Sequence, residues 1–315
     1  MSRNLAVIDL GTNTFQLIIA KEKEPGFEVL FQKSTPSRLG KGGINQGVIT
    51  PEAVDRALCV LEDFKNELDA FELPRQQILA FGTSAIRNAA NKEELLDAID
   101  TRLGLPVRII DGDTEAHLIY LGVREAVSLG TAPNLIMDIG GGSVEFVIAD
   151  HKSVYWKKSF ETGGQRLMDR FVKSDPLSPA AIRKINDFLE EQLIALSNAI
   201  HQYAPQTLVG SSGTFETLAE IDHWTRMNDW PPAGQNGFEI PLEEFYRSRN
   251  LILSSAREER MKIPGMRELR VDMIPVAICL IDYILSRYDI RILKASRWSL
   301  KEGALVELLR TSGQV

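Results

Sequence analysis

The sequence predicts an α/β protein of two similar domains, each built on a β-hairpin that turns at an Asp-x-Gly motif. Three observations carry this. The 315 residues are too many for one ordinary core and suit two domains. Apolar runs of strand length alternate with longer stretches of helical spacing. One local pattern, a strand ending in Asp-x-Gly and followed by a second strand, occurs at Asp9 and again at Asp138.

Residues 5–9 form an apolar strand and 15–20 a second, with Gly11 and Asn13 as turn formers between them. Thr50 caps a helix that has Pro51 in its first turn. Its apolar positions Val54, Leu58, Leu61, Phe64 and Leu68 recur at helical spacing. A strand over 78–82, a helix over 91–103, a strand over 107–110 and a helix over 114–129 follow. The opening pattern then returns with strands over 135–138 and 144–149, so a second domain begins near residue 125. One long helix over 178–203, started by Ser178 and Pro179, leads to a strand over 207–210. Next come a helix over 215–221, a Pro/Gly-rich loop over 229–237, and helices over 242–255 and 274–287. A strand over 290–295 and a helix over 300–310 close the series. The expected domains are 1–124 and 125–299, with the segment 300–315 packing back on the first.

Hydrophobic residues make up 44% and charged residues 25%, the balance of an ordinary soluble globular protein. The net charge of −7 argues against a nucleic-acid coat but leaves room for a polyanion in a locally positive cleft. Cys59 and Cys279 stand far apart, which fits a reduced, cytoplasmic protein without a disulfide framework. No signal peptide precedes the first strand, and the apolar run 273–285 contains Asp282 and is too short for a bilayer. Neither a membrane nor a nucleic-acid partner is expected.

Four motifs point to chemistry. In Asp9-Leu10-Gly11-Thr12-Asn13-Thr14, backbone N–H groups, two hydroxyls and an amide suit phosphate oxygens, and Asp9 suits a divalent cation. In Asp138-Ile139-Gly140-Gly141-Gly142-Ser143-Val144-Glu145, three glycines weaken the hairpin yet let backbone approach a ligand closely. Asp138 and Glu145 lie on opposite arms of that hairpin, so both can face one site. Ser211-Ser212-Gly213-Thr214 opens a helix after a strand, an anion site by dipole and free N–H groups. Glu115, in Gly112-Asp113-Thr114-Glu115-Ala116, starts a helix near the domain boundary. Taken singly, each has a plain reading as a turn or a helix start. Arg38, Lys41 and Arg87 are the leading candidate cations; Arg166, Arg270, Arg297 and Lys301 also stand near turns. His117, His151, His201 and His223 do not pair at metal-ligand spacing, and no Walker lysine motif or G-x-S-x-G occurs.

The ordered set Asp-x-Gly-Thr-Asn-Thr, Thr-Ser-Ala-x-Arg-Asn, Gly-x-x-Glu-Ala, Asp-x-Gly-Gly-Gly-Ser-x-Glu, Ser-Gly-Thr and Arg-x-Asp-x-x-Pro resembles the exopolyphosphatase / guanosine pentaphosphate phosphohydrolase family. It covers nearly the whole chain, from about residue 5 to 308. The resemblance implies two actin-like (ribonuclease H-like) domains of the actin/hexokinase superfamily, with the active site in the cleft between them. It implies hydrolysis of the terminal phosphoanhydride of polyphosphate or pppGpp, with Mg2+ and, as a substitute, Mn2+. By position, Glu115 resembles the carboxylate that activates water, and Asp138 and Glu145 the pair that handles metal and water. Gly11, Thr12, Asn13, Thr14, Gly140, Gly141, Gly142, Ser143, Ser212, Gly213 and Thr214 correspond to phosphate-loop positions, and Arg87 to a phosphate-contacting arginine. Longer members add a C-terminal helical domain, which this chain is expected to lack. Two rival readings remain: an ATP-dependent small-molecule kinase on the same fold, and a non-catalytic sensor of polyphosphate or an alarmone. The choice between polyphosphate and pppGpp stays open, as does the oligomeric state, a homodimer included.

Overall fold

The computed structural model describes residues 3–312, so Met1, Ser2 and the last three residues of the expected closing segment lie outside it. The first half runs β1 (Asn4–Leu10), β2 (Thr14–Glu22), β3 (Phe27–Pro36), α1 (Pro51–Ala70), β4 (Ile78–Gly82), α2 (Ser84–Arg87), α3 (Lys92–Leu103), β5 (Val107–Ile109) and α4 (Gly112–Ala126). The second half repeats the plan with β6 (Asn134–Ile139), β7 (Val144–Ala149), β8 (Val154–Phe160), α5 (Gly164–Phe171), α6 (Pro179–Gln192) and α7 (Ile194–Tyr203). It continues through β9 (Thr207–Ser211), α8 (Gly213–Met227), β10 (Gly237–Ile240), α9 (Leu242–Ser254), α10 (Arg257–Arg260), α11 (Ile274–Arg287), β11 (Ile292–Ser296) and α12 (Leu300–Ser312).

The first sheet has the order β3-β2-β1-β4-β5, antiparallel on the β3 side of β1 and parallel on the β5 side. The second has the order β8-β7-β6-β9-β11 with the same directions, and β10 added antiparallel at its far edge. This is the duplicated, actin-like arrangement that the two hairpins predict. The third strand of each hairpin was not expected. Both β3 and β8 mix charged and apolar residues without clean alternation, because each is an edge strand covered on one side only. The expected long helix over 178–203 divides into α6 and α7 at Leu193 (φ −99°, ψ 19°), where no Gly or Pro marks the break. The helices α5 and α8 are, respectively, new and longer than expected, and β10 occupies the end of the expected loop.

Alternation along the strands sorts the core into three layers. Ala6, Ile8 and Leu10 face an outer cluster with α1 and α3, while Leu5 and Val7 face inward. Leu135, Met137 and Ile139 face the outer cluster of the second sheet, with α6, α7, α9 and α11, while Ile136 faces inward. The two inner faces share one cluster with α4 and α12 sandwiched between them. Helix α12 packs on β1 and β2, and α4 packs on β7 and β8. By the same period of two, Asp9, Asp138 and Glu145 continue the inward-facing rows.

The two inner helices touch backbone to backbone. A Cβ on Gly122 would collide with the Ser299 carbonyl, and one on Gly303 with the Leu118 carbonyl. Only glycine at both positions permits this approach. Replacing Gly303 by Ala should therefore destabilise the fold by about 1–3 kcal/mol, the usual cost of overpacking. Urea unfolding measures it, and a shift under about 0.5 kcal/mol would show that the crossing opens without cost.

Candidate active site

The ends of the inner rows meet in a cleft of ≈ 380 Å³ lined by both hairpin turns and by the starts of α4 and α12. Asp138 and Glu145 are register partners on β6 and β7, so their side chains leave the same face. Asp9 and Gln16 are the matching partners on β1 and β2, and both line the cleft. Thus the first hairpin carries the same pair with an amide in place of the second acid. Glu115, in the first turn of α4, is buried beside them. From α12, Lys301 and the buried Glu302 also reach the cleft.

Three of the four carboxylates are held by named donors. Asp138 Oδ2 accepts from the hydroxyls of Ser211, its neighbour on β9, and Ser299. The Ser299 hydroxyl thereby leaves its usual capping duty, while Glu302 Oε2 bonds back to the Ser299 N–H at 3.0 Å. Glu145 Oε1 accepts from Ser159 Oγ at 2.7 Å, across β7 and β8. Glu115 Oε2 accepts from Arg87 Nη1 at 2.7 Å. Asp9 Oδ1 is buried with no partner among the described residues.

Burial pushes all four acids toward the neutral form. It raises Asp9 to about 7 against the pull of Lys301, with Asp138 and Glu145 adding repulsion. It raises Glu115 to about 7 against the opposing charge of Arg87. Burial, then Glu115 and Asp138, lift Glu145 well above the usual carboxylate range. Asp138 is raised by burial, which the hydrogen bonds from Ser211 and Ser299 oppose. An all-oxygen set with an orphaned carboxylate atom fits a hard divalent cation. Among the described residues no three such side chains enclose a metal by themselves, so a cation here would complete its shell with water or ligand oxygens.

The turns are tied from behind. The carbonyls of Gly140, Gly141 and Gly142 accept from the N–H groups of Gly164, Gln165 and Gly163 at 2.9, 2.8 and 3.2 Å. In the first turn, Asn13 O accepts from Ser37 and Arg38, and Thr12 O from Gly40. With the carbonyls drawn away, the N–H groups of Gly11, Thr12, Asn13, Gly141, Gly142 and Ser143 take no backbone partner among the described residues. Ser212 and Gly213 line the cleft at the start of α8, with Ser212 held at φ +76° by a bond to Ile139 O. That backbone region costs on the order of 1–3 kcal/mol for a side-chain residue.

Of the expected site residues, Thr14 and Gly140 also line the cleft, whereas Thr214 and Arg87 do not. Thr214 is buried within α8. Arg87 lies behind Glu115 and faces it. Arg38 and Lys41 are exposed outside the cleft; Arg38 contributes its backbone N–H to the turn rather than its guanidinium. The cations lining the cleft are Lys33, Arg267, Arg270, Arg297 and Lys301, and Lys33 pairs with Asp63 and Glu67. Arg267 and Arg297 pair with Glu216 and Glu220. Arg270 has no ion pair or side-chain hydrogen bond among the described residues and packs on Gly213, where a Cβ would strike its guanidinium. Of the supports the sequence reading did not single out, Gln16 repeats the spacing of Asp138 and Glu145, and Ser299-x-x-Glu302 has capping-box form.

The family model for the Ppx/GppA phosphatase family matches residues 18–312. The chain is similar to an exopolyphosphatase from Cytophaga hutchinsonii, with 41% identity, a TM-score of 0.94, and 98% of each chain covered. It is also similar to the Aquifex aeolicus Ppx/GppA family member, with 25% identity, a TM-score of 0.78, and 99% of each chain covered. An exopolyphosphatase-like protein matches with 26% identity and a TM-score of 0.86, over 98% of each chain. The match begins within β2, after β1 and Asp9, and takes in the whole second sheet with Glu115, Asp138 and Glu145, and the chain belongs to the Ppx/GppA phosphatase family.

Proposed function

We propose that the protein releases the terminal phosphate from a phosphate chain, inorganic polyphosphate or pppGpp, by attack of water. One observation carries the reading: two turns, one from each sheet, offer backbone N–H groups without a backbone partner among the described residues to a cleft that also holds the carboxylates of Asp9, Glu115, Asp138 and Glu145. Such donors suit phosphate oxygens, and buried acids suit water and metal. The kinship with the Cytophaga exopolyphosphatase supports the substrate class.

Hydrolysis of a phosphoanhydride needs an aligned water and neutralised phosphate oxygens. Glu115 is the base. Its pKa of about 7 lets the carboxylate be both ionised and basic near neutrality. Arg87 engages Oε2, which leaves Oε1 to accept the proton of water. The N–H groups of the two turns and the start of α8 hold the phosphates, and Arg270 supplies an uncommitted guanidinium beside them. Mg2+, with Mn2+ as substitute, would be held by Asp138, Glu145 and Asp9 and supplies positive charge against the phosphate oxygens.

Three outcomes are expected. Glu115→Gln should keep its thermal midpoint and substrate binding but lose at least ~10²-fold in phosphate release; near-normal turnover would remove Glu115 from this role. Phosphate release is best compared side by side on long polyphosphate, tripolyphosphate, pppGpp and ATP. ADP formation with an added acceptor would favour a kinase, and binding without release a sensor.

Arg270→Ala should cut kcat/KM for phosphate chains by about tenfold or more, because a clamp acts in ground and transition states alike. Lys41→Gln, on its exposed loop, should leave kcat unchanged. Equal effects of the two would deny Arg270 its place.

Chelation should abolish hydrolysis, and Mg2+ should restore it. The metal also has a signature in stability. Asp9 rises from 3.8 to about 7 on folding, so its contribution is fully present below about 4 and is lost as pH rises through about 7. The metal-free protein should therefore melt at lower temperature at pH 8 than at pH 5. Mg2+ should raise the midpoint more at pH 8, where the acids are ionised, and Asp9→Asn should flatten the pH dependence. A Mg2+ effect confined to pH 5 would rule this arrangement out.

A further inference from the structure

The end of β8 touches Glu145 directly and Glu115 through Arg87. Ser159, its penultimate residue, holds Glu145. Glu161, the residue after it, accepts at Oε2 from Ser84 Oγ and from Arg166 Nη2, each at 2.7 Å. Its Oε1 lies 3.5 Å from Arg87 Nη2. Arg87 thus stands between two carboxylates, Glu115 on α4 and Glu161 after β8. Arg166 carries the network onward, donating from Nε to Gly142 O at 2.8 Å and from Nη1 to Ile44 O at 2.9 Å. Ile44 and Ser84 belong to the half of the chain that builds the first sheet; Gly142, Glu161 and Arg166 belong to the half that builds the second.

We infer that Glu161 is a positioning residue for the reaction: it fixes the Arg87 guanidinium that aims Glu115, and makes that aim depend on the two halves being closed against each other. The inference rests on Glu115 being the base. A fork held at one end by Glu161 presents its other end to Glu115 in a fixed plane. Arg87 Nη1 also donates to Ile110 O at 3.1 Å, so without Glu161 the guanidinium keeps that tether but loses the hold on Nη2 that sets its plane, and Glu115 loses a fixed partner. Because Glu161 also binds Ser84 and Arg166, the anchor exists only when β8 lies against α2. Closure of the halves and alignment of the base are then one event. Glu161 does not itself line the cleft; its side chain is 43% exposed and borders a separate surface depression with Arg87 and Ser159, behind the second turn.

The test is Glu161→Gln, which keeps shape and removes charge, with Glu161→Asp beside it. In the full chain, Glu161→Gln should lower kcat about tenfold, leave KM within about twofold, and move the thermal midpoint by less than about 2 °C. Glu161→Asp should recover part of the loss. In an Arg87→Lys background, where no fork exists to be held, Glu161→Gln should cost nothing further. Amide hydrogen exchange over 83–88 should speed up in Glu161→Gln, with the rest of the chain unchanged. Unchanged kcat in Glu161→Gln with an active wild type overturns the inference and leaves Glu115 as base; so does a full further loss in the Arg87→Lys background. A wild type inactive on every phosphate chain defeats the proposed function instead. In that case the exchange still decides, and unaltered exchange over 83–88 ends the claim that Glu161 ties the halves together.

Discussion

Ionising four carboxylates in one buried space is costly, and much of the site is arranged around that cost. A buried charge without a partner shifts its pKa or finds a counter-charge. Here the relief is uneven. Asp138 has two hydroxyls, Glu145 one from Ser159, Glu115 the guanidinium of Arg87, and Asp9 an oxygen with no donor among the described residues. The nearest cation to Asp9 in effect is Lys301, which is itself bound to Glu302. Such a set is under-neutralised as it stands, and a cation and the oxygens of a phosphate chain are complementary additions to it. The sheet parity, the starts of α4 and α12 and the hydroxyls of Ser211 and Ser299 all converge on these acids.

The duplication explains the layout and its asymmetry. Both turns are built alike, with carbonyls pulled back by a following segment and N–H groups left forward. Both hairpins place a second polar side chain opposite the aspartate, Gln16 in one and Glu145 in the other. One half has kept a neutral amide where the other has an acid. Glu115, which pairs with Arg87, enters on a helix that packs against the second sheet. The acids therefore gather mainly against the second sheet, while the first turn contributes mainly donors.

The sequence made the hairpins, their duplication and the order of most elements legible, because Asp-x-Gly turns and helix caps such as Thr50-Pro51 are local signals. It hid β3 and β8, whose residues alternate poorly since edge strands face two environments. The glycine turns and the acids Asp9, Glu115, Asp138 and Glu145 were readable as types, and the structure gathers them in one cleft. The cations were harder. A lone arginine carries no sign of its partner, so Arg38 and Lys41 looked suitable in their Gly-rich loop, yet only the backbone of that loop serves the turn. Arg270 stands 57 residues after Gly213, and nothing local announces that the two pack together.

The crossing of α4 and α12 at Gly122 and Gly303 gives the molecule a fulcrum. Both helices begin at the site, and their contact starts at its edge, with Gly122 against the Ser299 carbonyl and Gly303 against that of Leu118. Glu115 is seven residues from Gly122, a lever arm of about 10 Å at the helical rise. Leu300 is only three residues from Gly303, an arm of about 4.5 Å. A scissoring of ~10° at the pivot would carry Glu115 through ~2 Å but Leu300 through less than ~1 Å. The long blade carries Glu115 and the short blade stays beside Asp138. A tilt too small to disturb the core would thus be enough to shift Glu115 against Asp138, so the unequal blades set how strongly any movement between the two sheets is felt at the cleft.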